Sequence, residues 1–580
     1  MNIKMTLAAG AALLGTAAFA GFDIDIDLNA KPIRDASEST SKTLVGYAGC
    51  FCDQLSGGVY QGAQAYWFGT NKVETSKAMR EAGAWFQRMW SANRWFADRV
   101  PNPYDPNSTN KVEVKKYKNY IRTDPDLAFG FWKRNGIKVL FTLEAWNEKD
   151  EKTAVEFVKW IVDNGYKDVV AGFELGNESY FSEHYPELAP RWKRIIDEIW
   201  KIWPKVPLGI CLCELFEQNP DLAQVRGRML SAGEIKKGGY FSASLFNRYT
   251  TQFVVAMADH LDKISHVIYH AYGAETPYSC SYYGFERFRN YLEAMPELKG
   301  KKMWLSEVRM RSDEDNWCQR QFRESLIMGH YALTAICQPE MDGYNQHECG
   351  SWSGAFYLSN GRQFTHQLRT GCWWPGYSDH RAPENRPRIE VGPMGVMYRI
   401  LSESILDYPI LLQHGTSRET NTTNAFYTSA RLTDEVYRRR RAIREGKTAF
   451  LGLFGGVPEV KGETEWVAAM SKKRNTVCLM MVNSKNEEET ATVRVKDRIL
   501  AVPTYVTVSC PEEYLDCASV PGEAHPWKEM AWEDSQQGGF DAIHMAMYDG
   551  IKPKNDVLKI RIAPHTVQSV TFRVGKVPKK

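Results

Sequence analysis

The sequence predicts an α/β protein with a (β/α)8 TIM barrel, followed by an antiparallel β-sandwich that also recruits an N-terminal strand. Between about residues 43 and 345, short apolar runs alternate eight times with loops and amphipathic helical stretches, which is the pattern of a (β/α)8 barrel. After about residue 407 the runs become short, β-branched and bounded by turns, which indicates an antiparallel sandwich. A doubly wound sheet is the alternative, but no glycine-rich phosphate loop follows the first strand.

The first twenty residues have the features of a secretory signal peptide. Lys4 supplies the positive start, Thr6–Thr16 is small and apolar, and Ala18-Phe19-Ala20 matches the small-x-small cleavage pattern. We therefore expect cleavage after Ala20 and an exported protein, either secreted or periplasmic. No other run reaches about 18 apolar residues, so no transmembrane segment is predicted.

Residues 21–42 are predicted to hold the N-terminal strand and a linker. Residues 22–28 alternate apolar and acidic side chains, which predicts a half-buried strand that pairs into the sandwich. Residues 31–42 are polar and are interpreted as the linker between this strand and the barrel.

The (β/α)8 barrel, which we expect to be the catalytic domain, is assigned to residues 43–406. Its eight predicted strands are Thr43–Cys52, Trp85–Trp90, Ile137–Ala145, Asp168–Leu175, Leu208–Leu215, Ile264–Tyr269, Lys302–Ser306 and Met341–Asn345. The helical stretches include Glu74–Ala82, Glu151–Asn164, Glu187–Trp203, Arg248–Leu261, Tyr282–Met295, Gln319–Ile336 and Val391–Ser404. Because strands and helices alternate throughout, a parallel sheet closed into a barrel is the simplest arrangement.

The sandwich is assigned to residues 407–580. Its predicted strands are Thr476–Asn483, Thr490–Val495, Tyr505–Ser509, Val557–Ile562 and Val567–Val574. The segment 434–445 contains four consecutive arginines, Arg438 to Arg441. A polyanion site is one interpretation; a solvated helical insertion, with acidic residues nearby, is the favoured one.

Composition narrows the classes of partner and cofactor. The chain has 580 residues and a net charge of only +3, which argues against nucleic acid as the main partner. Aromatic residues make up 12% and include 18 Trp; they suit either a groove that stacks sugar rings or a large core. Among the 12 cysteines, the pairs Cys50/Cys52 and Cys211/Cys213 lack the C-x₂-C spacing of zinc sites. Most cysteines are expected to be buried thiols, with one or two bridges such as Cys510–Cys517 and no fixed connectivity.

Two glutamates lie at predicted strand ends on opposite sides of the barrel mouth. The fourth strand ends in Phe-Glu-Leu-Gly-Asn177-Glu178, and the seventh ends in Trp-Leu-Ser-Glu307. Chemistry in this fold occurs at the C-terminal strand ends, and glycoside hydrolysis needs one protonated and one ionised carboxyl group across a cleft. A surface salt bridge explains one strand-end Glu, but two at these strands favour a catalytic pair. Other carboxylates were set aside: the strands of Glu174 and Glu144 have not yet ended at those residues, and Glu348 lies beyond strand eight.

These two motifs resemble glycoside hydrolase clan A, the retaining (β/α)8 superfamily that includes β-xylosidases, iduronidases, arabinofuranosidases and heparanase-like β-glucuronidases. The resemblance extends to the second domain, where Leu479-Met-Met-Val-Asn483 is similar to the sandwich that several clan families carry. It implies that Glu178 is the acid/base, that Glu307 is the nucleophile and that Asn177 holds the sugar 2-hydroxyl.

The resemblance also implies supporting residues. Arg88, near the end of strand two, matches a rim arginine that bonds the nucleophile. Tyr272, after strand six, matches a tyrosine that donates to the nucleophile, and His270 is expected to contact the substrate or a neighbouring catalytic group. A packed His and Tyr is the alternative for this pair.

Aromatic and basic residues around the mouth are further candidates for substrate binding. Trp146 and Asn147 end strand three, and the long loop at 346–390 carries Trp373 and Trp374, which are either a sugar platform or packing onto the barrel. Arg309 and Arg311 suit an acidic or sulfated glycan, although pairing with the acidic run at 313–315 is the favoured interpretation.

The sequence thus predicts a secreted retaining glycoside hydrolase that acts on a carbohydrate and needs no metal or cofactor. Two alternatives share the same residues: a catalytically inactive carbohydrate-binding barrel, and a transglycosidase. The sugar, the linkage, endo or exo action and the oligomeric state do not follow from the sequence.

Overall fold

The computed structural model describes most of both predicted domains. The described residues are 21–48, 72–97, 125–212, 242–273, 296–310, 322–346, 356–359, 364–365, 388–391, 393–417, 464–485, 487–496, 498–500, 503–509, 544–549 and 556–576. The predicted signal peptide, the helix predicted at 282–295, the arginine run and Cys510–Cys517 lie outside these ranges. None of the helices in these ranges combines the length and apolar character that spanning a bilayer requires.

Eight parallel strands close into a barrel in which each strand pairs with its neighbour in chain order and the eighth pairs with the first. The barrel strands are β3 (Gly46–Ala48), β4 (Phe86–Met89), β5 (Lys138–Leu143), β6 (Val170–Leu175), β7 (Leu208–Cys211), β8 (His266–Gly273), β9 (Lys302–Met310) and β10 (Met341–Gln346). The closed parallel sheet confirms the predicted fold and excludes the doubly wound alternative.

Helices follow the strands as the alternating pattern predicts. The described α-helices are α1 (Glu38–Thr43), α2 (Lys72–Glu81), α3 (Ala92–Ala97), α4 (Pro125–Asn135), α5 (Glu148–Asp163), α6 (Ala189–Ile202), α7 (Ser242–Ala256), α8 (Phe322–Ile336) and α9 (Pro393–Asp407). Helices α3 and α4 were absent from the predicted set, since α3 is a single short segment and α4 lies beside a long polar stretch.

The segment 31–42 is not the linker that its polar composition suggested. Arg34–Asp35 forms the short strand β2, and α1 begins after Ser37, whose Oγ accepts a hydrogen bond from the Thr40 backbone N–H. The Arg34 guanidinium donates hydrogen bonds to the backbone carbonyl oxygens of Ile336 and Gln338, at the C-terminal end of α8. A capped helix and a buried arginine therefore fix this polar segment against the barrel.

One tryptophan, Trp304 of β9, fills the lower interior of the barrel, where strands β6, β7 and β10 each carry a glycine. A Cβ atom at Gly172 would lie 2.2 Å from the Trp304 ring, and one at Gly343 would lie 2.7 Å from it. Gly209 also faces this ring. Side chains in a strand alternate in direction, so the residues two positions further along each of these strands also point into the barrel, nearer its mouth.

The second domain contains two facing sheets. The smaller sheet has the order β1 (Gly21–Ile26), β17 (Glu489–Val495) and β21 (Leu558–Ile562), with β1 parallel to β17. The larger sheet comprises β2, β14 (Ile410–Thr416), β15 (Thr464–Met470), β16 (Thr476–Asn483), β22 (Thr566–Lys576), β19 (Thr504–Ser509) and β20 (His544–Asp549), and β18 (Arg498–Leu500) pairs with β22. The N-terminal strand thus joins the sandwich, as predicted.

The larger sheet is buried on both faces. Leu479 and Val570 pack against the smaller sheet, where Ile24 and Val493 complete the core. Met480, on the opposite face, packs with the barrel helices in the main core. Strand β15 is buried along its whole length, so its sequence does not alternate, which explains why it was not predicted.

Part of the long connection after strand eight lies within the described residues. Phe356–Ser359 (β11), Phe364–Thr365 (β12) and Arg388–Val391 (β13) form a small antiparallel sheet with β11 in the middle. The described cysteines, Cys211, Cys337 and Cys478, are buried free thiols.

A buried carboxylate links the two domains. Glu465 of β15 lies 2.8 Å from Nδ1 of His330 in α8 and 2.6 Å from Nε2 of His414 in β14, and it accepts a 2.7 Å hydrogen bond from Thr334. Burial raises the pKa of Glu465, but the two histidines outweigh burial and lower this pKa to about 2.

We predict that Glu465→Gln destabilises the protein by about 3 kcal/mol at pH 7. The folded pKa lies below the unfolded value, so the stabilisation is present above about pH 4 and disappears as the pH falls towards 2. Urea unfolding at pH 7 and at pH 3 measures both effects. The control is Glu488→Gln, which breaks a surface ion pair with the exposed Arg561 and is expected to cost less than about 1 kcal/mol. An equal loss at both pH values would contradict the prediction.

Candidate active site

The structure brings both predicted catalytic glutamates together at the C-terminal end of the barrel. One carboxylate oxygen of Glu178, one of Glu307 and a ring nitrogen of His270 all lie within 4.8 Å of one another. The Glu307 side chain is 4% exposed and that of Glu178 is 24% exposed. Glu178 is therefore the more open of the two carboxylates.

A strained turn places Glu178. Directly after β6, Gly176 has φ +86°, and Glu178 has φ 48° and ψ 32°, in the left-handed region. Such a conformation costs a non-glycine residue of order 1 kcal/mol and is concentrated at functional sites. A Cβ atom at Gly176 would lie 2.4 Å from the Ser179 Oγ atom, so only glycine fits there.

Glu307 lies inside β9 and not, as predicted, just after its strand. Strand β9 continues to Met310, and its pairing with β8 shifts by one residue between Tyr269 and His270. The shift places His270 opposite Glu307. Irregularities of this kind re-aim side chains near active sites, and hydrophobicity alone does not reveal them.

Arg88 contacts the predicted nucleophile, as the sequence suggested, and binds a second carboxylate as well. Its Nη1 donates to Glu307 Oε1 at 2.6 Å, while Nε and Nη2 donate to the two oxygens of Glu174 at 2.5 and 2.8 Å. Nη2 also donates to Asn177 Oδ1 at 2.6 Å. Arg88 is fully buried. Burial lowers the pKa of its guanidinium, but Glu174 and Glu307 outweigh burial and raise this pKa above its ordinary value.

His270 links Glu178 to the same cluster. Its Nδ1 lies 2.9 Å from Glu178 Oε1, and its Nε2 lies 3.0 Å from Ser306 Oγ and 3.5 Å from Glu174 Oε1. Burial lowers the pKa of His270, but Glu307, Glu174 and Glu178 outweigh burial and raise this pKa to about 10. The imidazole is therefore protonated near neutral pH and donates from both nitrogens.

The charged groups of the site determine the protonation of Glu178. Burial raises its pKa, but the hydrogen bond and the positive charge of His270 outweigh burial and lower it. With three carboxylates against Arg88 and His270, the resting cluster has one net negative charge. Protonating Glu178 makes the cluster neutral.

Glu174 is the charged residue that sequence reasoning set aside. It is fully buried in β6, and burial raises its pKa, but Arg88 and His270 outweigh burial and lower this pKa to about 2. The available signal was an ionisable residue inside an apolar strand, since such a group needs a buried partner of opposite charge.

Of the two residues that end strand three, one faces solvent and the other caps a helix. Trp146 is 36% exposed, and its indole Nε1 donates to Glu144 Oε2 at 2.9 Å, while Ser91 donates to the other oxygen of Glu144. Asn147 caps α5 by accepting a hydrogen bond from the Asp150 backbone N–H at 2.9 Å, and its contact with substrate stays a prediction.

Several other predicted residues cannot be placed in the site. Tyr272 and Arg309 lie in β8 and β9, but their side chains are outside the described part of the structure. Trp373 and Trp374, together with Arg311 and Glu348, lie outside the described residues.

Asn345 is a polar group that the sequence analysis missed. It lies near the end of β10, two residues after the inward-facing Gly343, and is fully buried. Neither its carboxamide oxygen nor its nitrogen has a hydrogen-bond partner among the described residues. An unpaired buried polar group costs about 1–3 kcal/mol, so a group of this kind at a barrel mouth is suited to bind a ligand.

Two sets of side chains place potential metal-ligand atoms within 4.8 Å of one another: Glu174 with Cys211 and His270, and Glu178 with His270 and Glu307. Arg88 already donates to Glu174 and Glu307, and His270 is protonated near neutral pH. Two positive groups therefore compete with a cation for these carboxylates.

Comparisons with known proteins identify relatives of the fold. Neither models of known protein families nor curated protein sequences match the chain. Among solved structures, an α-L-arabinofuranosidase from Thermotoga maritima in an arabinose complex aligns with TM-score 0.56 and 11% identity, over 95% of this chain and 100% of that one. The GH51 α-L-arabinofuranosidase from Thermotoga petrophila RKU-1 gives 0.54 and 10% over 95% and 100%. AbfB from Bifidobacterium longum, described as a family 51 α-L-arabinofuranosidase, gives 0.53 and 11% over 94% and 99%.

These alignments cover nearly the whole of each chain, so barrel and sandwich occur together in all of them. The resemblance to barrel glycosidases of clan A, which the sequence motifs suggested, therefore holds at the level of the fold.

We predict that Gly176→Ala destabilises the protein more than Gly165→Ala. Both glycines have positive φ, but a Cβ atom at Gly165 has no atom within 4 Å, whereas one at Gly176 collides with Ser179. Gly165→Ala is expected to cost about 1 kcal/mol from backbone strain alone, and Gly176→Ala roughly 1–3 kcal/mol more. Denaturant unfolding of both variants measures the difference, and equal losses would contradict the tight turn described here.

Proposed function

We propose that the protein is a retaining glycoside hydrolase. The observation that supports this most strongly is that one carboxylate oxygen of Glu178 and one of Glu307 lie within 4.8 Å of each other. Retaining glycosidases hold their two carboxyl groups about 5–5.5 Å apart, whereas inverting enzymes need about 6.5–9.5 Å to admit a water molecule. A close approach between two carboxylate oxygens is nearer to the retaining arrangement, and it favours direct attack by a carboxylate.

Glu307 is proposed as the nucleophile. It accepts a hydrogen bond from Arg88 and faces the protonated His270, and both cations favour its ionised form. Buried next to these fixed donors, the carboxylate is held in place for attack on the anomeric carbon, and the attack forms a glycosyl-enzyme ester while the leaving group departs.

Glu178 is proposed as the acid/base. In the first step its carboxylic acid gives a proton to the departing glycosidic oxygen, and in the second its carboxylate takes a proton from water. Its partial exposure suits a group that meets both the leaving group and water. Because His270 lowers its pKa, the acid form needed for the first step is favoured below neutral pH, and we expect an acidic pH optimum.

Trp146 and Asn345 are proposed as substrate contacts. The indole of Trp146 is partly exposed and oriented by Glu144, so one fixed aromatic face is available for stacking on a sugar ring. The Asn345 carboxamide has no hydrogen-bond partner among the described residues, and its donor and acceptor suit sugar hydroxyl groups.

The substrate is proposed to be a glycan whose sugar remains to be identified by experiment. The structural relatives are arabinofuranosidases by their descriptions, so arabinofuranosides belong first in a panel that also includes xylosides, glucosides, galactosides, uronides and sulfated glycans. The predicted cleavage site after Ala20 supports the proposal that the enzyme acts outside the cytoplasm.

We predict that Glu307→Gln lowers turnover at least about 1,000-fold on any substrate that the panel identifies, because no nucleophile remains. Glu178→Gln is expected to lower turnover of natural glycans about 100–10,000-fold and to spare aryl glycosides whose leaving groups need no proton. Glu403→Gln, an exposed carboxylate paired with Arg399 in α9, is the control. Steady-state kinetics on both substrate types tests this, and wild-type turnover by Glu307→Gln would overturn the proposal.

We also predict that His270→Gln moves the basic limb of the kcat/KM profile to higher pH. That limb reports loss of the Glu178 proton, and removing the positive charge beside Glu178 raises the pKa of this carboxyl group. The control is His184→Gln, which changes an exposed histidine in the segment after β6 that also holds Glu178. A limb that stays in place, or moves to lower pH, would contradict the assigned coupling.

A further inference from the structure

Glu174 lies below the two catalytic carboxylates and has no access to solvent. Its Oε2 accepts hydrogen bonds from Arg88 Nε at 2.5 Å and from the Thr142 hydroxyl at 3.0 Å. Its Oε1 accepts a hydrogen bond from Arg88 Nη2 at 2.8 Å. Both oxygens are therefore occupied by donors of the protein. A side chain so placed does not touch the substrate.

The same carboxylate also faces the second cation of the site. Glu174 Oε1 lies 3.5 Å from His270 Nε2, and Ser306 donates to this oxygen at 3.4 Å while its Oγ lies 3.0 Å from the same ring nitrogen. The imidazole is thus held on its inner side by Glu174 and Ser306.

Each of these cations also donates to one of the two catalytic glutamates. Arg88 turns Nη1 to Glu307 at 2.6 Å, and His270 turns Nδ1 to Glu178 at 2.9 Å. Glu174 thus contacts both catalytic residues through one intermediate side chain each. Such indirect partners commonly orient the groups that react.

We propose that Glu174 is the positioning residue of this active site: its buried carboxylate holds Arg88 and His270 where they contact Glu307 and Glu178. This proposal rests on the function proposed above. Among the described residues, five barrel strands place a side chain near Glu174: β4 with Arg88, β5 with Thr142, β7 with Cys211, β8 with His270 and β9 with Ser306. Thr142 and Ser306 carry no charge, and burial raises the pKa of the Cys211 thiol so that it is neutral.

The charges explain why a carboxylate is needed at this position. In the reactive state Glu178 holds a proton and is neutral. Without Glu174, Glu307 alone would then face the two cations Arg88 and His270, and the buried site would have a surplus positive charge. Glu174, which remains ionised, cancels that charge. Because an uncompensated buried charge is strongly destabilising, removing Glu174 is expected to drive the proton off His270 or to displace Arg88.

The test compares Glu174→Gln, which keeps the shape and removes the charge, with Glu174→Asp, which keeps the charge. The control is Glu465→Gln, which neutralises another buried carboxylate that contacts two histidines far from the site. The first readout is a crystal structure of each variant, since it needs no substrate. We expect the Arg88 guanidinium to leave Glu307 in Glu174→Gln and to keep this contact in Glu174→Asp and in the control.

The second readout is the pH profile of kcat and KM on an aryl glycoside that the wild type cleaves. Glu174→Gln is expected to lose about 100-fold in kcat with little change in KM, and its basic limb moves to higher pH because the charge of His270 is lost. Glu174→Asp is expected to recover to within about tenfold of the wild type. A purely structural role would lower the unfolding midpoint and leave the kcat of the folded enzyme and its pH profile unchanged.

Failure of this proposal differs from failure of the proposed function. If Glu174→Gln retains the wild-type kcat, pH profile and Arg88 position, Glu174 does not position the site, although the protein is a glycosidase. If the wild type cleaves no member of the glycoside panel, the function proposal fails, and the crystal structures alone still decide whether Glu174 holds Arg88.

Discussion

The arrangement of the active site depends on one buried ion pair, between Arg88 and Glu174. Two charges inside a protein are stable only where each has close partners of opposite charge and hydrogen bonds for its remaining atoms. Here every described contact of Arg88 goes to a site residue, and its guanidinium also lies 5.5 Å from the centre of the Trp90 ring. Together with the contact from Arg88 to Glu307, the pair ties the second, fourth and seventh barrel strands together at the level of Glu178 and Glu307.

The interior of the barrel is built of layers of inward-facing side chains, and the ion pair lies where an apolar layer is followed by a polar one. At the lower level Trp304 fills the interior, and glycines on three other barrel strands make room for its ring. Two residues further along the same strands the inward positions carry Glu174, Cys211 and Ser306. The apolar layer supplies stability, and the polar layer above it supplies fixed charges near the barrel mouth. The sandwich stabilises the barrel from outside through the Glu465 cluster and the doubly buried larger sheet.

The sequence was sufficient to predict the features that follow from periodicity. Alternating runs predicted the barrel, β-branched runs predicted part of the sandwich, and strand ends predicted that Glu178 and Glu307 meet. The resemblance to clan A added the contact between Arg88 and Glu307. Features that depend on tertiary contacts were missed. Strand β15 does not alternate because both of its faces are buried. Glu174 was set aside because its strand has not ended there, and nothing near it in the sequence points to its partner Arg88, which lies 86 residues earlier in the chain. The cap that Asn147 forms on α5 was not foreseen either, because a strand-end asparagine suits a helix cap as well as a ligand. The register shift beside His270, which aligns that residue with Glu307, has no signature in a single sequence.

The central claim is that Glu178 and Glu307 act as a close carboxylate pair through a covalent glycosyl-enzyme. The most direct measurement is ¹H NMR of the first product released from a glycoside that the protein cleaves, recorded before the free sugar equilibrates between its anomers. The account predicts that the initial product has the anomeric configuration of the substrate, because two displacements at one carbon restore it. An initial product of inverted configuration would show that water attacks directly, and would contradict the role assigned to Glu307.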